Sequence, residues 1–203
     1  MSADIVNTPS YNIKNALVIY ASPRSNGATR AMLNAFLSGI PGNVSVKTVD
    51  VYALNPSPCV ACNRCETDFS DKPLCAYNDL DEFFEDFERS GLVIIATPAY
   101  NASFPAPLKA LFDRFQRYYS AYFALGRIQP LKSHRNAVLL VSAGHDGKYA
   151  LEVMTHQCES SFSVMNTTLT GCVLAADTDL HEISDSVISE ATALAQKVSK
   201  EVF

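Results

Sequence analysis

Ala16-Leu17-Val18-Ile19-Tyr20, followed by Ala21-Ser22-Pro23-Arg24-Ser25-Asn26-Gly27-Ala28-Thr29, is the stretch that decides the fold. The apolar run reads as a buried strand. The polar residues after it read as a turn that opens a helix, because Met32, Leu33, Phe36, Leu37 and Ile40 repeat at helical spacing. Strand, polar turn and helix together make a βα unit.

Working outward, the same unit recurs. Residues 44–51 alternate and predict a second strand. Leu80, Phe83, Phe84 and Phe87 mark one face of a helix, and residues 92–96 form a third strand that is apolar on both faces. Leu108, Leu111, Phe112 and Phe115 mark the next helix, with Pro105 suited to its first turn. Residues 137–141 predict a fourth strand, 148–162 a helix, and 164–174 contain a fifth strand. Residues 180–202 close the chain as a helix with Ile183, Val187, Ala191, Leu194 and Val198 inward. Strands apolar on both faces imply a parallel sheet covered on both sides. Right-handed crossovers then restrict the α/β fold to a doubly wound five-stranded sheet with helices on both faces.

The 203 residues fit a single domain. Three segments stand outside the repeating units: an N-terminal extension at 1–14, a long loop at 52–78, and an insertion at 117–135 carrying Tyr118, Tyr119, Tyr122 and Phe123. The net charge of −5 and the pI near 5.3 argue against a nucleic-acid binder, which needs a basic face. Residues 1–14 are polar, and no apolar run reaches the length of a membrane span. A cytoplasmic protein with no membrane partner is expected. In that reducing setting six cysteines point to metal or redox use rather than a disulfide framework.

Three turns carry the chemistry. The first holds Ser22, Arg24, Ser25, Asn26, Gly27 and Thr29 at a helix start, where free backbone N–H groups and the helix dipole favour an anion. It is a phosphate cradle, although a capped polar turn would look similar. It lacks both G-x-G-x-x-G and G-x-x-x-x-G-K-[ST], so neither a dinucleotide fingerprint nor an NTPase loop is present. The second turn is Thr97-Pro98-Ala99-Tyr100-Asn101-Ala102-Ser103, and the third is Ser142-Ala143-Gly144-His145-Asp146-Gly147. Ligands of open α/β sheets bind beyond the carboxyl ends of the strands, where all three turns lie.

Cys59, Cys62, Cys65 and Cys75 fall in the 52–78 loop. Their spacing lets three thiolates converge and a fourth close the set, as a 4Fe–4S cluster requires. Structural zinc, and free or disulfide-forming thiols, are the alternatives. Cys158 and Cys172 read as packed small hydrophobes. His134, His156 and His181 read as non-catalytic, His145 as solvent-facing, and Asp81, Glu82, Glu85, Asp86 and Glu88 as the wet face of a helix.

Ser22-Pro23-Arg24-x-Asn26-Gly27-x-Thr29 resembles the phosphate loop of the NADPH-dependent FMN reductases. Thr97-Pro98-x-Tyr100-x-x-Ser103, Pro105-Ala106-x-Leu108-Lys109 and Asp113-Arg114 resemble that family's isoalloxazine loop and following helix. Ser142-Ala143-Gly144 is similar to its third flavin-contacting loop, and the likeness runs over residues 15–174. It implies a flavodoxin-like strand order of 2-1-3-4-5. It implies Ser22, Arg24, Ser25, Asn26, Gly27 and Thr29 around an FMN phosphate. It also implies Pro98, Ala99, Tyr100, Asn101 and Ser103, with Ser142, Ala143 and Gly144, around the flavin. The cysteine loop resembles the iron–sulfur flavoprotein branch, with Cys75 before Asn78-Asp79-Leu80. The gap of nine residues between Cys65 and Cys75 is longer than that branch's. The resemblance implies an FMN-dependent oxidoreductase that accepts a hydride from NAD(P)H and delivers electrons to a small-molecule or protein acceptor, as a homodimer or tetramer. A non-catalytic electron carrier between protein partners is the alternative. A third is a cofactor-free scaffold serving in binding or assembly. The 117–135 aromatics would cover the flavin, form a subunit contact, or pack on their own sheet.

Overall fold

The computed structural model describes residues 14–67, 75–126 and 131–203. The rest of the expected extension, and the parts of the cysteine loop and the aromatic insertion at 68–74 and 127–130, lie outside the described residues. In chain order the elements are β1 Asn15–Tyr20, α1 Ala28–Ser38, β2 Ser45–Asp50, α2 Val51–Leu54, α3 Arg64–Thr67, α4 Asp81–Arg89 and β3 Leu92–Pro98. There follow α5 Ala106–Asp113, α6 Gln116–Phe123, β4 Arg135–Ser142, α7 Lys148–Phe162, β5 Thr167–Ala175 and α8 Asp185–Val202.

The five strands form one all-parallel sheet in the order β2-β1-β3-β4-β5. Alternation along the central strands divides the core between the two faces. Leu17, Ile19, Val93, Ile95, Leu139 and Val141 point to one face, where α4, α5 and α7 cover them. Ala16, Val18, Tyr20, Ile94, Val138 and Leu140 point to the other, under α1 and α8. β2 differs. It is the edge strand, and most of its residues are exposed.

Two details depart from the sequence pattern. Helix α5 starts at Ala106, so Pro105 is its cap and Pro107 stands in its first turn. Glu88 does not simply face water: it accepts a 2.8 Å hydrogen bond from the buried Tyr118 hydroxyl. Phe83, Phe84, Phe87, Phe115 and Tyr118 form one cluster of ring contacts between α4 and α6. Each such buried ring contributes about 1.5–3 kcal/mol through burial alone. Tyr118 is therefore core. Among the described residues, no helix is long and apolar enough to cross a membrane.

Candidate functional site

The carboxyl ends of β1, β3 and β4 are neighbours in the sheet, so the turns that follow them meet. Backbone hydrogen bonds tie them together: Ala21 N–H to Ala96 O at 2.9 Å and Ala99 N–H to Ser142 O at 2.8 Å. The Ser22 hydroxyl accepts from the Arg24 N–H at 3.2 Å and shapes the first turn. The Tyr20 hydroxyl donates to the Arg24 carbonyl at 2.7 Å and holds it from below. Gly27 precedes α1, and no side chain caps that helix or places an acid in its first turn. Its first N–H groups are left for a ligand, and the dipole there favours an anion.

The result is a cavity of about 240 Å³. Ser22, Arg24, Gly27, Ala28 and Thr29 line one side, Pro98, Ala99 and Tyr100 another, and Ser142 and Gly144 a third. The volume lies near the low end for closed ligand pockets, so a larger ligand anchored here runs out along the rim. Tyr100 stands on that rim, 44% exposed. Thr29 and Ser142 join the first and third turns through buried hydroxyls 2.7 Å apart.

Not every expected residue lines the cavity. Ser25 and Asn26 are exposed and outside it. Asn101 and Ala102 have φ of 50° and 56° and make the tight turn that pairs Tyr100 with Ser103 through two backbone bonds. The Ser103 hydroxyl is within 3.3–3.5 Å of the Gln157 amide on α7. Asn101 and Ser103 thus shape the loop that presents Tyr100. Ala143 is buried, and its carbonyl accepts from both the N–H and the hydroxyl of Thr178, each at 3.0 Å. His145 is exposed, as expected.

Thr178 and Asp179, in the loop after β5, also line the cavity and were not read from the sequence. Asp179 presses its carboxylate over Gly144, where a Cβ would meet the nearer oxygen at 2.3 Å. Only glycine leaves room for that approach. Both residues sit at a strand's carboxyl end, the one signal that could have found them.

The cysteine loop builds a second cavity of about 280 Å³. Cys59, Cys62, Cys65 and Cys75 all line it, with Arg114, Gln116 and Arg117 from the α5–α6 region on its wall. Ala61 and Asn63 flank Cys62 in the left-handed region, at φ of 50° and 57°. Such backbone costs about 1–3 kcal/mol each for residues other than glycine and tends to mark functional sites. The Cys65 thiol, pushed up by burial, donates to Ser120 on α6 at 3.4 Å. All four thiols are free. Among the described residues, no three His, Cys, Asp or Glu side chains close to the spacing of a single metal ion.

None of Tyr118, Tyr119, Tyr122 and Phe123 lines the first cavity. Helix α6 packs against α3 of the cysteine loop. Among the described residues of the insertion, none borders the first cavity. Tyr119, Tyr122 and Phe123 stack on one another and stay exposed.

A family model described as Flavodoxin_2, flavodoxin-like fold, matches residues 14–198. The chain belongs to this flavodoxin-like family. The chain is 31% identical over 132 residues to an iron–sulfur flavoprotein of Methanosarcina thermophila, covering 64% of this chain and 63% of that protein. The flavodoxin-like chain thus spans less than two thirds of that relative's length. Solved structures share the fold. An NAD(P)H:quinone oxidoreductase from Methanothermobacter marburgensis has a TM-score of 0.58 at 21% identity, covering 92% of this chain and 94% of its own. An FMN-dependent NADH-azoreductase from Bacillus anthracis, in complex with FMN, has a TM-score of 0.65 at 15% identity, covering 92% and 98%.

Proposed function

We propose that this flavodoxin-like protein is an FMN-dependent oxidoreductase that takes a hydride from NAD(P)H and passes electrons to a small-molecule or protein acceptor. The observation that carries this is the cradle: an uncapped helix start, Arg24 and buried hydroxyls from two turns, all facing one cavity at the carboxyl ends of the strands. The presence of FMN in one neighbour of the same fold supports it. FMN, when bound, supplies the hydride-accepting chemistry.

The chain's own residues do the rest. The N–H groups of Gly27, Ala28 and Thr29, with Arg24 and Ser22, hold the phosphate. Pro98, Ala99 and Tyr100 would hold the ring, the first two bringing little bulk and the Tyr100 side chain offering an aromatic face. Gly144 admits Asp179, whose carboxylate is suited to accept hydrogen bonds from sugar-alcohol hydroxyls. No protein acid or base is needed for a hydride transfer.

The four cysteines fit a 4Fe–4S cluster by number and by their common cavity. A cluster there supplies one-electron chemistry, and the name of the Methanosarcina thermophila relative supports it. The exposed Tyr119–Tyr122–Phe123 rings support a homodimer or a tetramer.

The test is anaerobic. Purified chain is loaded with FMN, its iron and acid-labile sulfide are assayed, and NADPH or NADH is added. Bleaching of the flavin band is expected within one mixing experiment. A flavin band that persists with both nucleotides would sink the reductase and leave the non-catalytic carrier. Failure to bind FMN at all would sink both.

A further inference from the structure

The cysteine loop has a neck, and one side chain closes it. Arg114 caps α5, and its side chain is 1% exposed. Its Nη1 donates to the Ser57 carbonyl at 2.9 Å, on the strand-proximal side of the loop. Its Nη2 donates to the Tyr77 carbonyl at 3.1 Å and to Asp79 Oδ1 at 2.9 Å, on the returning side. Asp79 Oδ2 then accepts from the Ser57 N–H at 2.9 Å and completes the ring of bonds. The guanidinium also lies 5.5 Å from the Tyr77 ring centroid. All four loop cysteines fall between Ser57 and Tyr77, and Arg114 itself borders their cavity.

We propose that Arg114 is a positioning residue: it fastens the two ends of the cysteine loop to α5 and so holds four thiols on one cavity. Retention of a cluster depends on it, and FMN binding does not. This rests on the cluster assignment above. The chemistry requires arginine. A planar fork reaches three acceptors on two chain segments at once, whereas a lysine ammonium is a point donor on a flexible stem. Asp79 shares the role, because one carboxylate accepts from both Arg114 and Ser57. No part of the neck lines the first cavity.

The experiment compares wild type with Arg114→Ala, Arg114→Lys and Asp79→Ala, each as the full FMN-loaded chain reconstituted anaerobically with ferrous iron and sulfide. Four quantities are read: iron and sulfide per chain, the rate of iron transfer to a ferrous chelator, the FMN dissociation constant, and the paramagnetic resonance spectrum of the reduced protein. Both Arg114 variants are expected to release iron about tenfold faster or more, the range seen when an outer-shell partner is lost, with FMN affinity unchanged. Asp79→Ala, which removes the carboxylate bridging Arg114 and the Ser57 N–H, is expected to follow in the same direction. Equal release rates in all four proteins would overturn the proposal alone. So would joint loss of iron and FMN in Arg114→Ala with wild-type iron retention in the other two. Wild type that binds FMN but no iron would overturn the cluster assignment and this inference with it.

Discussion

The buried hydroxyl pair between Thr29 and Ser142 gives the sharpest test of how the cradle is assembled. The two oxygens lie 2.7 Å apart, and the residues are 2% and 5% exposed. Either hydroxyl can donate, so one hydrogen is committed to the pair and one remains. Thr29→Val keeps the shape and strands the Ser142 hydroxyl; Ser142→Ala strands Thr29. A buried polar group left without a partner costs about 1–3 kcal/mol, whereas removing both partners is close to neutral. Because the pair lines a cavity that water can enter, the lower end applies to flavin-free protein and the upper end to protein with FMN bound. Each single variant should therefore lower stability by about 1 kcal/mol without FMN, and the double variant by no more than either single. For a chain of this size that is about 2–4 °C in Tm per single substitution. Urea unfolding of the four proteins, with and without saturating FMN, closes the cycle. Additivity to within about 0.5 kcal/mol would refute the idea that the first and third turns are locked through this bond.

Four further outcomes follow from the same geometry. Gly144→Ala drives a methyl into the space of the Asp179 carboxylate, which must swing away, and the lost contact should lower FMN affinity by up to about tenfold in a fluorescence titration, an unchanged affinity refuting it. Ala102→Gly relieves a φ of 56° and should raise the unfolding free energy by about 0.5–1 kcal/mol in urea, an unchanged or lower value refuting it. Alkylation of metal-free native protein, followed by peptide mass analysis, should label the exposed Cys59 and Cys62 first and the buried Cys158 last, since burial pushes the Cys158 thiol far up. Burial opposes charge on Asp79, but the Ser57 N–H and Arg114 outweigh it and hold its carboxyl below the ordinary value. A depressed carboxylate stabilises above its unfolded pKa of about 4 and loses that as pH falls through the folded value. The Tm gap between wild type and Asp79→Asn should accordingly be full at pH 6 and close as the solution is acidified below about pH 4; a gap that widens on acidification would contradict it.

Strand positions were legible because the central strands are apolar on both faces, and their alternation is not disguised by an exposed side. The edge strand β2 was found at 44–51 by alternation, though most of its residues face water. Gly27, Arg24 and Ser142 were read from the turns that follow strands, and all three border the first cavity. Asn101 and Ser103 do not line the cavity, for a definite reason. They belong to a turn with two left-handed residues, and Asn-Ala carries no signal for it, since alanine rarely adopts that backbone. Thr178 and Asp179 were missed because their contacts with the third turn arise only when β5 pairs with β4. Arg114 was visible beside Asp113 as a motif, yet its partners lie 35 and 57 residues away and only folding brings them together.

Helix α5 links the two cavities. The Tyr100 turn feeds its start, and Arg114 caps its end. Its eight residues rise about 12 Å, with each residue turning the chain by about 100°. The helix is thus a gauge block. The separation of cradle and thiol cage is set by counting its residues rather than by the composition of either loop. Drift in loop sequence leaves that spacing untouched, while a single inserted helical residue would swing the neck away from the sulfur atoms it serves.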